Sequence, residues 1–415
     1  MKILMVGTGI FPVPPLKGGG VEMHIFCLMK ELAKLGHEVH YVGGISNTNE
    51  LNGIKLHEVD VSRSDEPLKL EYWIPRAVKA EIGVCRKSFI ATKKINFDII
   101  HIHEVRGNIP GLFLSFLKSA PTVFTIHGLT PWMHKFNSFL EGKLRKLMWF
   151  ISDLQVLKRV DHIITVNEAI KSHLALYWKI PESKVTYIPN GIDLSNFSIE
   201  RNCDILKKYD IPSRYCLFVG HLIRRKGITY LLEALDKIPN ISCVVVGVGP
   251  ERYRLIRFFK KLEYQGKVIS LGGIPYKDLI SLYKRAEFLV LPSISEAFPT
   301  VILEAMASGI PIVAFDLPGL RRLVINGYNG FLVPPRNVEK LSEKIRFLFE
   351  NKSVCNIMGR NAQKIASKYD WSNIAKMIIK VYEFAASPQL KRKNIHSSLK
   401  HVHMLTRHCW RLKNC

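Results

Sequence analysis

The sequence predicts an α/β protein made of two doubly wound, Rossmann-like domains that face each other across a cleft. Three observations carry this. Short apolar runs alternate with longer stretches of helical period throughout the 415 residues. The alternation restarts in the second half, after a strand that ends in Ile188-Pro189-Asn190-Gly191. Both halves also carry glycine-bearing loops between a strand and a helix, which is where such sheets bind ligands.

In chain order, the first half reads as strands at Lys2–Gly7, Glu38–Val42, Ile99–Ile102, Thr122–Ile126, His162–Val166 and Val185–Pro189. A helix fits Val21–Leu35, because Val21, Ile25, Leu28, Leu32 and Leu35 recur at helical spacing, and Gly36 suits the position just past its end. The second half reads as strands at Cys216–Val219, Ser242–Val246, Val268–Leu271, Phe288–Leu291, Pro311–Ala314 and Gly330–Val333. Helices fit Ile228–Leu235, Pro250–Lys261, Tyr276–Arg285, Pro299–Ser308 and Val338–Asn351. Trp371–Ala386 is a long amphipathic pattern with no strand after it, as expected of a terminal helix. The expected organisation is a first domain over 1–194, a second over 195–370, the terminal helix over 371–386 and a basic tail over 387–415.

Composition sets the class. A 47% hydrophobic and 23% charged chain is ordinary for a soluble globular protein. No charged and apolar leader precedes Lys2–Val6, and no run of roughly 18 apolar residues occurs, so a cytoplasmic location is expected. The eight cysteines form no C-x-x-C pair, which argues against a zinc ribbon or a thioredoxin-like site. The net charge of +25 suits anionic partners, namely nucleic acid, an anionic membrane surface or phosphorylated substrates; a solvated basic surface explains it equally well. The tail after Ser387 holds seven Lys or Arg residues and four histidines with no acid, which places it outside the compact domains.

The strand-to-helix loops hold the candidate site. Gly18-Gly19-Gly20 precedes the Val21 helix, so Gly19 and Gly20 let the backbone approach a phosphate at a helix N-terminus. Gly7-Thr8-Gly9 and Gly247-Val248-Gly249 each lack the third glycine of a dinucleotide loop, where Pro12 and Arg252 stand, so no NAD-type cofactor is expected. The loop Val219–Gly227 carries His221 and the cations Arg224, Arg225 and Lys226 at a helix start, an arrangement suited to a diphosphate.

The most specific pattern runs from Pro292 to Pro311. Pro299 suits the first turn of a helix, leaving Glu296 in the loop and Glu304 within the helix. Free amides at the helix start then lie between the two carboxylates. Sugar, phosphates and ribose of a sugar nucleotide match Glu296, the amides and Glu304 in turn. Elsewhere, two glutamates at this spacing are ordinary surface charges.

This segment resembles the E-x7-E motif of family 4 glycosyltransferases, retaining enzymes of GT-B fold. Other elements agree in order over roughly residues 1–385: Gly36-His37-Glu38-Val39, Asp98–His103, His127-Gly128, Ile188–Asp193, Lys226-Gly227, Gly247–Pro250 and Asn326-Gly327 with Asn329-Gly330. The resemblance implies that Glu304 bonds the ribose hydroxyls and Glu296 the donor-sugar hydroxyls. It further implies that Lys226 neutralises the diphosphate with help from amides near Thr300 and Val301, and that Gly19 approaches the phosphate from the other domain. His127 is implied to touch the donor sugar near the reacting carbon, and the terminal helix to cross back to the first domain. Two departures stand out. His221 occupies a position where the family usually has Arg, with Arg224 or Arg225 as possible substitutes, and Gly319–Leu323 lacks an acid common there.

The implied reaction moves a sugar from a nucleotide-sugar donor to a glycan, lipid-linked or small-molecule acceptor with retention. No D-x-D occurs, so a metal-independent reaction without cofactor is expected, with cations and amides stabilising the leaving diphosphate. Trp132–Val160 mixes aromatics and cations. It suits either peripheral docking on an anionic membrane, at its inner face, or a helix with a buried apolar face. Two alternatives are a nucleotide-sugar epimerase on a similar scaffold and a basic nucleic-acid-binding protein, although no nucleic-acid module is present.

Overall fold

The structure, a computed structural model, describes residues 1–7, 12–15, 20–59, 70–103 (backbone only for 70–78), 109–117, 119–128, 154–198 and 204–387. The chain divides into two compact units. The first comprises Met1–Ile188 with the chain from Ala375 onward, and the second Pro189–Ile374.

The first unit is built on a seven-stranded sheet with every described pairing parallel, in the order β3-β2-β1-β4-β5-β6-β7. Its strands are β1 (Lys2–Val6), β2 (Glu38–Gly43), β3 (Ile54–Glu58), β4 (Ile99–His103), β5 (Thr122–Ile126), β6 (His162–Thr165) and β7 (Val185–Tyr187). The second unit carries a six-stranded parallel sheet in the order β10-β9-β8-β11-β12-β13. These strands are β8 (Cys216–Val219), β9 (Cys243–Val246), β10 (Val268–Gly272), β11 (Leu289–Leu291), β12 (Ile312–Phe315) and β13 (Gly330–Val333). Strands covered by helices on both faces bury every residue, so they read as unbroken apolar runs. β8, β9, β11 and β12 are buried throughout.

Strand order reverses direction between β1 and β4 in the first sheet and between β8 and β11 in the second. At such switch points the loops leaving neighbouring strands diverge, opening a crevice at the carboxyl ends. The loops after β8 and β11, which hold Lys226 and Glu296, leave adjacent strands at one of these points.

The alternating apolar runs marked every strand except β3. Its residues Ile-Lys-Leu-His-Glu sit half exposed at the sheet edge and lack a continuous apolar run. The helix Leu70–Lys94 also went unread, because Pro75 and Gly83 interrupt its pattern with two residues that helix interiors disfavour. Likewise, Lys352–Ala366 is a helix containing Gly359. The expected helix from Pro250 to Lys261 is two, Pro250–Arg254 and Ile256–Tyr264, broken where Leu255 leaves helical dihedrals. The first long helix, Gly20–Lys34, ends as expected at Gly36: Gly36 N–H donates to Ala33 O at 3.0 Å and His37 N–H to Leu32 O at 3.1 Å.

Division of the chain falls at Ile188/Pro189 rather than after residue 194. The reason is local pairing: Ile192 N–H donates to Tyr369 O at 2.8 Å, and Trp371 N–H to Ile192 O at 3.1 Å. The terminal helix Trp371–Ala386 thus begins among second-unit residues, while Tyr382 on it bonds His101 of β4. Of the aromatic and basic stretch Trp132–Val160, residues 132–153 lie outside the described residues, as do 388–415 of the basic tail. Its remaining end buries Val156, Leu157 and Val160 in the first-unit core, and stacks the Arg159 guanidinium 4.1 Å from the Phe116 ring centre.

Candidate active site

The second unit assembles most of the expected donor-binding residues. After β8, Gly220–Ile223 leads into a short 3-10 turn at Arg224–Lys226, which Gly227 ends at φ +70°. A Cβ on Gly227 would lie 1.8 Å from the Pro292 carbonyl oxygen, so only glycine lets this loop press on the loop leaving β11. Ile294 N–H donates to Arg225 O at 2.8 Å and joins the two loops. As a result Lys226 Nζ lies 2.5 Å from Glu296 Oε1, and Arg225 Nη1 lies 3.7 Å from Glu296 Oε2. The Glu296 and Lys226 side chains are only 5% and 12% exposed, so this pair is held with little water. Gly227→Ala should lower stability by about 2–3 kcal/mol, from positive-φ strain plus the carbonyl clash, read as a reduced unfolding midpoint of the full chain.

His221 stands beside this pair. Burial and the neighbouring Lys226 and Arg225 cations lower its pKa below the ordinary histidine value. A neutral imidazole therefore occupies the position expected to be Arg, and the positive charge of the loop rests on Arg224, Arg225 and Lys226. The Gly247–Gly249 pair has a packing role: a Cβ on Gly247 would meet Gly220 O at 1.9 Å, and one on Gly249 would meet Leu222 O at 2.4 Å. These glycines seat the turn after β9 against the loop that carries the cations.

The helix that follows the β11 loop runs Thr300–Ala307, with Pro299 as its N-cap at φ −78°, ψ 111°, one residue before the first turn where it was expected. Ile302 N–H donates to Pro299 O at 3.1 Å and closes the first turn. The Thr300 and Val301 amides precede that bond and have no acceptor within the helix. Glu304 is the fifth residue of the helix, about 6 Å along its axis from Thr300 at ~1.5 Å per residue. Its Oε2 accepts from Tyr283 OH at 2.8 Å and its Oε1 from Tyr276 OH at 3.3 Å. Burial raises the Glu304 pKa, and the two tyrosine hydrogen bonds oppose that rise. Sequence reading missed both tyrosines; their signal was a spacing of seven on the helix Tyr276–Arg285, which places them on one face.

Removal of one tyrosine hydroxyl is therefore expected to be felt through Glu304. Tyr283→Phe should raise the donor KM about 5–10-fold, the worth of one hydrogen bond. It also removes a contact that lowers the Glu304 pKa, so the pKa rises further. An acceptor carboxylate is lost as pH falls through its pKa, hence the acid limb of donor affinity should move to higher pH. A pH series of KM checks both outcomes.

In the first unit, Gly20 is the exposed first residue of its helix, while Gly19 lies outside the described residues. His127 directly follows β5 and is half-buried. Its Nε2 is 2.9 Å from His103 Nδ1, and its ring meets that of His24 edge-on at 4.5 Å. His103 Nε2 faces Met5 Sδ at 2.9 Å. His101 is fixed on both sides, by Tyr382 OH and Thr125 Oγ1, each at 2.6 Å. Burial depresses the pKa of His101, His103 and His127 well below the ordinary value and keeps all three neutral. The expected site residues thus fall into two groups: His127 and Gly20 in the first unit; His221, Arg225, Lys226, Glu296, Thr300, Val301 and Glu304 in the second. Asp193, in contrast, caps a turn by accepting from Ser195 N–H at 3.1 Å.

A family model described as Glycosyltransferase Family 4 matches residues 18–196, and one described as Glycosyl transferases group 1 matches residues 205–365. The chain belongs to family 4 of the glycosyltransferases. It is similar to an uncharacterised glycosyltransferase of Methanocaldococcus jannaschii, 29% identical over 93% of this chain and 98% of that protein. A phosphatidyl-myo-inositol mannosyltransferase of Mycolicibacterium smegmatis is 28% identical over 94% of this chain and 96% of its own. Among solved structures, Anabaena Alr3699/HepE in complex with UDP-glucose superposes with a TM-score of 0.71 at 20% identity, covering 92% of this chain and 99% of that one. Such likeness shows the GT-B fold for this family 4 protein. It is a glycosyltransferase, which sets aside the epimerase and nucleic-acid-binding alternatives. Among the described residues, no helix is long and apolar enough to cross a membrane.

Proposed function

We propose that this family 4 glycosyltransferase uses a nucleotide-sugar (nucleoside diphosphate sugar) as donor and transfers the sugar, with retained anomeric configuration, to a glycan, lipid-linked or small-molecule acceptor. The observation that carries the reading is the set formed by Lys226, Glu296, the helix-start amides at Thr300 and Val301, and Glu304 held by two tyrosines. Its spacing suits a sugar, two phosphates and a ribose laid along one helix start. UDP-glucose in the Anabaena relative supports the donor class, and the mannosyltransferase supports a lipid-linked acceptor.

In this mechanism Glu296 orients the donor-sugar hydroxyls, and Glu304 accepts from the ribose hydroxyls. Lys226 turns from Glu296 toward the diphosphate, with Arg225 and the helix-start amides assisting. The bond between anomeric carbon and phosphate oxygen breaks, and its electron pair leaves with the nucleoside diphosphate. The acceptor oxygen adds on the same face, and its proton passes to a donor phosphate oxygen. His127, neutral, donates or accepts a hydrogen bond at the sugar near that carbon. Lys226, Arg225 and the amides stabilise the developing phosphate charge, so no metal and no cofactor are required. Peripheral contact with an anionic membrane brings the enzyme to a lipid-linked acceptor.

A thermal-shift screen of the full chain against UDP-, GDP- and ADP-sugars tests the donor class, and NMR of the product anomer tests retention. Stabilisation by one nucleotide series, undiminished by EDTA, is the expected result. No stabilisation by any of them, or an inverted product, overturns the reading. Failure to sediment with anionic vesicles removes the membrane contact alone.

A further inference from the structure

We infer that His24, His103 and His127 form a binding site for a divalent transition ion of the zinc type, which would act as an inhibitor rather than as a cofactor. The three residues come from distant parts of the first-unit chain: the helix after β1, the last residue of β4 and the first residue beyond β5. Each offers one ring nitrogen, and these nitrogens all lie within 4.8 Å of one another. Tetrahedral zinc with bonds of about 2.0–2.1 Å needs nitrogens about 3.3 Å apart. His103 Nδ1 and His127 Nε2 are already at 2.9 Å, so small ring rotations, led by His24, complete the set.

The chemistry of the donors selects the ion. Three neutral imidazoles suit Zn²⁺, Cu²⁺ or Ni²⁺ and offer little to Mg²⁺ or Ca²⁺, which take oxygen ligands. Neutral rings bind metal without losing a proton. The one hydrogen shared between His103 Nδ1 and His127 Nε2 moves to an outer ring nitrogen, such as His103 Nε2 beside Met5 Sδ. His24 and His103 are buried at 4% and 0% exposure and His127 is half-buried, so the ion enters on the His127 side. The fourth position stays open to water or an anion. Ligation occupies His127 Nε2. Inhibition, unlike binding, rests on the proposed contact of His127 with the donor sugar.

The test uses the full chain, stripped with EDTA and titrated with Zn²⁺ alone by calorimetry, then with Co²⁺ for its visible four-coordinate bands. The tail holds four histidines and two cysteines, residue types that compete for such ions, so a His401→Gln/His403→Gln variant accompanies His24→Gln and His103→Gln. The expected result is one tight site, weakened about 100-fold or more by His24→Gln and by His103→Gln, and kept in the tail variant. His24→Cys guards against misfolding: it should retain the ion and add a thiolate-to-Co²⁺ absorption in the near ultraviolet. Affinity unchanged in both glutamine variants, lost in the tail variant, or no new band with the folded His24→Cys protein overturns the site. Tight binding in the expected pattern with undiminished sugar transfer keeps the site and overturns the inhibition.

Discussion

Lys226→Ala is expected to lower kcat/KM for the donor about 10²–10³-fold, the loss seen when one preorganised charge-stabilising donor is removed from an active site. Two effects add. The cation facing the diphosphate disappears, and Glu296, losing its 2.5 Å partner, becomes a buried carboxylate near an anionic substrate with only the longer Arg225 contact at 3.7 Å to offset it. Comparison with Glu296→Gln separates them. That variant keeps Lys226 and releases it from its ion pair, so donor affinity should hold or improve while kcat falls through poorer positioning of the sugar. Steady-state kinetics on the two variants read the split directly. If Lys226→Ala retains full kcat/KM, the diphosphate does not lie against this loop.

A second large effect is expected from the paired change Glu296→Ala with Glu304→Ala. Each hydrogen bond to a charged group is worth about 1.5–3 kcal/mol, so loss of the two ribose contacts alone weakens donor binding by about 10²–10⁴-fold. The Glu304 variant removes the ribose contact and the carboxylate that Tyr276 and Tyr283 position, and should therefore act mainly on KM. The Glu296 change should act mainly on kcat, because a misoriented sugar loses the near-attack geometry. Together they should abolish measurable transfer. Circular dichroism and the unfolding midpoint show whether the fold survives, which Glu304, helical and only partly buried, should permit.

Much of this molecule was legible before any coordinates. Strands covered on both faces are rich in apolar residues, which is why most strands stood out, whereas β3, with only Ile54 and Leu56 apolar among Lys55, His57 and Glu58, did not. The Pro299 turn with Glu296 before it and Glu304 within the helix was readable because cap, loop and helix lie within a dozen residues. Less local features failed for physical reasons. Pro75 and Gly83 mask the helix Leu70–Lys94, whose burial against the first sheet outweighs its weak intrinsic preference.

The sequence by itself determined the alternation of strands and helices, the two-sheet class, and the identity of the residues that end the strands. Tertiary structure alone decided which of them meet. Lys226 and Glu296 are 70 residues apart and touch because β8 and β11 are neighbours at a switch point. Tyr283 reaches Glu304 from a different helix, and His24, His103 and His127 converge from three separate connections. Periodicity records only whether a residue faces the core; which distant side chain it faces depends on strand order and loop packing, and neither leaves a local trace.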